Sequence, residues 1–507
     1  MTRGVNGRLR EGRVVPGEPA QHPTSDKNSV ARAQSRTCTT MTTALTPTAT
    51  RPSAALGGGP RRVRGPRAAA DGCSNPSRTR GVDATPIPTV PRRAALTALT
   101  AAAASSRDLS PATASVASTS EVVREAAALA TNGAGASTVA FDDATVTIRG
   151  TGQVVPVAVW YPTDGTGPTP TYPHAISVAK IARVLLNTPE STPRFLDRDF
   201  PLEPSAGVVR ASSSDAAPKN ATGAVVLCHG YLGSRFDLVD LAEALAASGF
   251  VVAAPEFAES LASPDTVSAQ TRPGAKPAAN PSATRETVLN ATLKIFDDGK
   301  FAWVDGDGER RSKAPVALVG QSAGASTATG APGSFAARVA IAGFRPPPSE
   351  EREKVLTLLG DPLLVVASAG DGVISLYPTD GGVFGPYRGI EAEVASLPAE
   401  FARFDAGGLL DSVRSGDARR TAFVTYETGG GGTPGSTPGQ QLPCHISFLS
   451  SRTNDAMVDV LGPLLPVARL LGVPVLDFDR YEVTRDSDEV NETLVPAVTA
   501  WLAAVMR

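Results

Sequence analysis

The stretch VALVGQSAG, residues 316–324, constrains this chain more than any other. It holds Gly320-Gln321-Ser322-Ala323-Gly324, a G-x-S-x-G, directly after the apolar run 315–319. That run has the length of a buried strand, and Ala325-Ser326-Thr327-Ala328 can begin a helix behind it. A serine at so sharp a strand-to-helix turn has a strained backbone, and side chains two residues before or after it would collide with neighbouring elements. The two glycines answer that need. The turn lifts the Ser322 hydroxyl out of the sheet and aims the Ala323 N–H at the same point.

The surrounding pattern predicts a mostly parallel α/β sheet. Residues 224–228 form an apolar strand ending in His229-Gly230-Tyr231, DLVDLAEALAASG has helical spacing and stops at Gly249, and FVVAAPEF (250–257) is the next strand. After a helix, TRETVLNATLKIF, comes the strand into Ser322, followed by the apolar runs ARVAIAGF, PLLVVASAG and TAFVTYE. Strands alternating with helices, the central ones buried on both faces, give a twisted sheet with helices on each side. Ahead of it, STVAFDDATVTIRG and QVVPVAVWYPT alternate about Gly150-Thr151-Gly152 and predict an antiparallel hairpin. EVNETLVPAVTAWLAAVMR (489–507) reads as a closing amphipathic helix despite Pro496. Residues 163–222, 258–283 and 375–420 read as irregular insertions, with one helical patch at AISVAKIARVLL.

Order is expected from about residue 137 onward. Residues 1–130 are rich in Ala, Ser, Thr, Pro and Arg, poor in acids and nearly empty of aromatics, so they read as a disordered leader. An Arg- and Ser-rich, acid-poor segment has the composition of an organellar transit peptide. Within it Pro91-Arg92-Arg93 precedes AALTALTAAAASS and Ala112-Thr113-Ala114, the layout of a twin-arginine signal with a small-residue cleavage site. A plastid address followed by a thylakoid-lumen signal has this order. A disordered tail on a cytoplasmic protein is the alternative, and Met41 is a second candidate start.

The formal net charge of -2 offers no basic surface for nucleic acid. No run reaches ~18 consecutive apolar residues, so no transmembrane helix is expected. The strongly apolar stretch 460–478 reads as core or as a lid that meets a lipid surface. Cys38, Cys73, Cys228 and Cys444 form neither a disulfide framework nor a metal-binding spacing. Cys228 and Cys444 each precede a histidine and read as buried free thiols, with a redox-sensitive pair as the alternative.

A nucleophilic serine needs a base. The chain has four histidines. His22 lies in the leader, His174 reads as a surface residue of the irregular wrap, and His229 reads as a brace for the turn after its strand. His445, in Pro443-Cys444-His445-Ile446-Ser447-Phe448 after the last strand, remains. The base needs an orienting carboxylate. Asp371, in Ser368-Ala369-Gly370-Asp371-Gly372 at the end of PLLVVASAG, supplies it in the chain order Ser, Asp, His. The N–H groups of Tyr231 and Ala323 are the expected oxyanion hole. An ester of a small molecule is the expected substrate, and no metal or organic cofactor is called for.

These residues together resemble the platelet-activating-factor acetylhydrolase-like branch of the α/β-hydrolases, over roughly residues 137–507. VPVAVWYPT is similar to that branch's early v-W-Y-P strand, VVLCHGYLGSRFDLVDLAEALAASGFVVAAPEF to its H-G-x-x-x-x-R stretch, and His445-Ile446-Ser447-Phe448 to its H-x-S-F. The resemblance implies a serine esterase acting on lipid-like esters, short-chain or oxidised phospholipid among them. Chlorophyllases share much of the layout. A non-catalytic α/β-hydrolase serving as a binding module is the reading from another class. The chain departs from the branch where the acid usually stands: after the strand 337–341 it reads Ala342-Gly343-Phe344-Arg345-Pro346-Pro347-Pro348, without a carboxylate until Glu350. The acid is therefore expected one strand later, at Asp371 rather than at Glu350 or Asp361.

Overall fold

The computed structural model describes residues 115–131, 137–177, 180, 198–211, 220–262, 283–297, 299–305, 307–348, 350–382, 385–427, 442–462, 465–470, 477–478, 480–481 and 484–506. All belong to the second of the chain's two compact units, Pro86–Arg507.

The expected hairpin is present. β1 (Thr138–Thr147) and β2 (Val154–Thr163) pair antiparallel, with Thr147 opposite Val154. Gly150 and Gly152 take left-handed backbone in the turn between them. The remaining sheet strands are β3 (Val208–Arg210), β4 (Gly223–Cys228), β5 (Phe250–Pro255), β6 (Val316–Gln321), β7 (Ala337–Ile341), β8 (Leu363–Ser368), β9 (Ala402–Phe404) and β10 (Thr421–Tyr426). They form one sheet of 10 strands in the order β9-β10-β8-β7-β6-β4-β5-β2-β1-β3. From β9 to β5 all neighbours are parallel, and only β2 reverses against β5 and β1.

Alternate side chains of the central strands enter different cores. Val225, Val252, Val319, Val339, Val366 and Val424 face one layer. Helices α1 (Ser115–Ala130), α2 (Val239–Ala247), α6 (Ala406–Arg414) and α8 (Ser487–Val505) build that layer. On the opposite face, Val226, Val251 and Leu318 meet α3 (Arg285–Leu293). Ala340, Val365 and Phe423 meet residues of α4 (Ala323–Gly330) and α5 (Arg352–Gly360) there. α7 (Ser451–Leu461) follows the last strand and leads toward α8. A mostly parallel sheet with an antiparallel hairpin at one end and helices on both faces is the α/β-hydrolase fold. Among the described residues, no helix is long and apolar enough to cross a membrane.

Several expectations need correction. The leader does not extend to residue 130: α1 is part of the fold, and Val123, Ala126, Ala127 and Ala130 are buried in the main core. Small residues let α1 lie close on α8 and α2, so burial here needs no aromatic or large aliphatic side chain. Its coverage also explains why α8 is buried almost all round, where a one-sided amphipathic helix was expected.

The insertion 163–222 contributes the edge strand β3 and buries Tyr172 and Leu202 in the core. The insertion 375–420 contributes the opposite edge strand β9 and helix α6. The helical patch expected at 175–186 begins instead as a two-residue strand, Ala175–Ile176, and most of the rest lies outside the described residues. So do 263–282, most of the insertion 258–283, and much of 460–478, although Leu461 and Phe478 at that stretch's two ends are buried core. Cys228 and Cys444 are free, buried, and in separate apolar clusters. Burial pushes the Cys228 thiol up to about 12, against the pull of Arg285, so it stays protonated at neutral pH.

Candidate active site

The turn between β6 and α4 has the geometry its glycines predict. Ser322 sits at φ 56° and ψ -120°, a conformation that costs a non-glycine residue about 1–3 kcal/mol. Its N–H donates to Ile341 O at 2.9 Å, which ties the turn to the end of β7. A Cβ on Gly320 would collide with the backbone of Gly324, and one on Gly324 with the carbonyl of Cys228. Both positions are therefore closed to any side chain.

The structure brings Ser322, His445 and Asp371 into one hydrogen-bonded line. Ser322 Oγ lies 2.9 Å from His445 Nε2, and His445 Nδ1 lies 2.8 Å from Asp371 Oδ2. All three are buried. Each comes from the carboxyl end of its strand: β6 for Ser322, β8 for Asp371, and the loop after β10 for His445. Asp371 Oδ1 accepts the N–H groups of Val373 and Ile374 at 2.8 and 2.7 Å, which fixes the carboxylate plane and leaves Oδ2 for the histidine. Burial pulls the His445 pKa down, but the adjacent Asp371 carboxylate, helped by Asp477, more than offsets it and leaves the pKa above the usual histidine value.

The other carboxylates considered as the acid are elsewhere. Asp361 accepts from Arg338 Nε at 2.8 Å and from the Phe335 N–H at 3.0 Å, near the amino ends of β7 and β8. Glu350 is exposed.

Tyr231 and Ala323 flank the serine from two elements. Ala323 opens α4, so its N–H is among those a helix leaves without an intrahelical partner. Gly230 lies so close to the turn that a Cβ there would come within 3.2 Å of Ser322 Cβ. Its carbonyl is turned toward His229 Nδ1 at 2.7 Å and Arg285 Nη2 at 3.0 Å. The peptide to Tyr231 is trans, so the Tyr231 N–H points the opposite way.

His229 braces this turn, as its place in the sequence implied. Nδ1 donates to Gly230 O, and Nε2 accepts the Phe257 N–H at 2.9 Å. Burial, with Arg285 nearby, holds its pKa well below the usual value, in keeping with the neutral tautomer those two bonds require. His174 is not a surface residue: it is 3% exposed, packed edge-on to Phe236, and burial beside Arg235 lowers its pKa to about 4.

Three functional contacts escaped the sequence reading. Asp477 Oδ2 accepts the His445 N–H at 3.1 Å and the Gly372 N–H at 2.7 Å, joining the histidine loop to the acid loop. Gln321 Nε2 donates to His445 O at 3.3 Å from the residue preceding the serine. Arg285 holds the carbonyls on the other side of the site. The one available signal was at Asp477, the only acid in the apolar stretch 460–478.

No protein-family model matches the chain, and no curated protein does. Among solved structures, a ferulic acid esterase from Streptomyces cinnamoneus is similar at 16% identity, over 72% of this chain and 88% of that one, with a TM-score of 0.32. At that score the assignment of the fold rests on the sheet order itself.

Proposed function

We propose that this chain is a serine hydrolase of carboxylic esters that works through an acyl-enzyme. The observation that carries the reading is the line Ser322 Oγ, His445 Nε2, His445 Nδ1, Asp371 Oδ2, with separations of 2.9 and 2.8 Å. In this mechanism His445 takes the hydroxyl proton as Ser322 attacks the ester carbonyl. The tetrahedral oxyanion forms opposite the N–H groups of Tyr231 and Ala323. As it collapses, His445 returns the proton to the leaving alcohol. Water, deprotonated by the same imidazole, then releases the acid.

A lipid-like ester is the proposed substrate class, with short-chain or oxidised phospholipid as the first choice. Two things support it: the sequence resemblance around Trp160, His229 and His445, and an apolar cluster beside the oxyanion turn. That cluster includes Leu232, Leu261, Ile446, Leu461 and Phe478, with Tyr231 packed against it.

The test is labelling by a fluorophosphonate, followed by turnover of p-nitrophenyl esters of rising chain length, of phospholipids and of chlorophyll. A covalent adduct on Ser322 that Ser322→Ala abolishes, with the fold retained, is the expected result. Absence of an adduct on the wild-type protein would favour a binding module instead. Preference for chlorophyll would move the substrate assignment to the chlorophyllase-like alternative.

A further inference from the structure

We infer that Arg285 is a positioning residue that sets the oxyanion hole, holding its two halves in register from outside the site. The inference rests on the esterase reading. Arg285 is the first residue of α3. Its Nη1 donates to His229 O at 2.9 Å and to Thr327 Oγ1 at 3.2 Å, and its Nη2 donates to Gly230 O at 3.0 Å. Glu259 pairs with the same guanidinium, which lies 4.2 Å over the Phe257 ring.

Two consecutive carbonyls seldom face one cation, because successive carbonyls of an extended chain alternate in direction. Here both are drawn to the rigid fork of a single arginine, whose planar geometry suits two acceptors at once. The Gly230 carbonyl also receives His229 Nδ1 at 2.7 Å and the Gly233 N–H at 3.3 Å. A carbonyl held three ways cannot rotate without losing a charge-assisted bond. The planar peptide passes that constraint to its other end, so the Tyr231 N–H is fixed on the opposite side. Thr327, the third partner, belongs to α4 and donates its hydroxyl to Ala323 O at 3.0 Å. One guanidinium thus spans the turn that supplies the Tyr231 N–H and the first turn of the helix that supplies the Ala323 N–H.

Arg285→Met removes the donors and keeps an apolar stem, and Arg285→Lys keeps the charge but can reach one carbonyl and not two. The readouts are kcat and KM on a short p-nitrophenyl ester, affinity for a trifluoromethyl ketone that forms a tetrahedral oxyanion, and amide exchange in residues 229–233. For Arg285→Met, kcat and ketone affinity should each fall about 10²–10³-fold, the loss seen when one oxyanion donor goes. KM should stay within about threefold, since ground-state binding is not what the arginine serves. Exchange in residues 229–233 should rise about tenfold or more while that of β8 stays unchanged. Arg285→Lys should recover part of each loss.

A folded Arg285→Met protein with wild-type ketone affinity and unchanged exchange would overturn the inference, even if its melting temperature fell. If circular dichroism shows Arg285→Met unfolded, Arg285→Lys carries the same comparison, and wild-type values there would overturn the inference equally. If the wild-type protein forms no fluorophosphonate adduct, the esterase reading falls, and the exchange comparison alone decides whether Arg285 holds the turn.

Discussion

Asp371 carries two loads. One oxygen is saturated by the N–H groups of Val373 and Ile374, and the other accepts from His445 Nδ1. The carboxylate therefore cannot turn away from the imidazole, and its charge raises the pKa of a histidine that burial alone would lower. Catalysis needs the neutral imidazole, so kcat/KM should rise with pH through a pKa above the ordinary histidine value and level off beyond it. Asp371→Asn should lower the plateau about 10⁴-fold, because the amide can hold the wrong tautomer. It should also move the acid limb to lower pH, since the raising charge is gone and burial remains. Glu350→Gln should alter neither. Stopped-assay pH profiles of the three proteins check this. An Asp371→Asn limb at the wild-type position would mean that another group carries the titration.

At the scale of elements, the site is a junction of loops at one edge of the sheet. The histidine loop is held from three directions: Gln321 grips the His445 carbonyl, Asp477 accepts its N–H, and Arg452 anchors α7 seven residues further on. Arg452 Nη2 donates to Glu243 Oε2 at 2.8 Å and Nε to Asp240 Oδ1 at 2.9 Å, both on α2. Asp477 takes left-handed backbone, at φ 66°, to place its carboxylate between His445 and Gly372. Asp477→Ala should leave the buried His445 N–H without an acceptor, at about 1–3 kcal/mol, while the more exposed Gly372 N–H can turn to water. It should reduce kcat about 10²-fold through a displaced imidazole while KM changes little. Thermal melts and steady-state kinetics test the two parts, and an unchanged kcat would confine Asp477 to a role in stability.

Position in the chain explains what the sequence revealed here. The Ser322 turn is local, so its glycines announce it, and Asp371 and His445 follow from strand order. Arg285, Gln321 and Asp477 act on backbone groups supplied by distant segments. Such contacts leave no motif, because any residue can supply the carbonyl or N–H.

The whole molecule turns on where folding begins. The longer strands of the sheet, its hairpin and four helices, α2, α3, α4 and α8, were readable from the sequence pattern, whereas α5, α6 and α7 were not. Nor were the two edge strands, each three residues long, or α1. Short edge strands carry too few residues to show alternation. α1 is hidden by composition, since alanine is both the best helix former and the weakest apolar signal. Among its residues with described side chains, the buried ones are Val123, Ala126, Ala127 and Ala130. Cleavage at Ala112-Thr113-Ala114 would therefore leave these four buried residues in place.

This makes two truncations unequal. Starting the chain at residue 115 should leave the melting temperature and esterase activity as they are in the full-length protein. Starting it at residue 132 removes α1 and uncovers α8 and α2, with Trp501 and Val498 in the same core. Uncovering roughly 200 Å² of apolar surface at about 25 cal/mol per Å² costs on the order of 5 kcal/mol. That is a large share of the stability of an ordinary domain, about 5–15 kcal/mol. The shorter chain should melt far lower or collect as insoluble protein. Differential scanning calorimetry of the full-length protein and both truncations decides the matter. Equal melting temperatures for all three would return α1 to the leader and move the start of the fold back to β1.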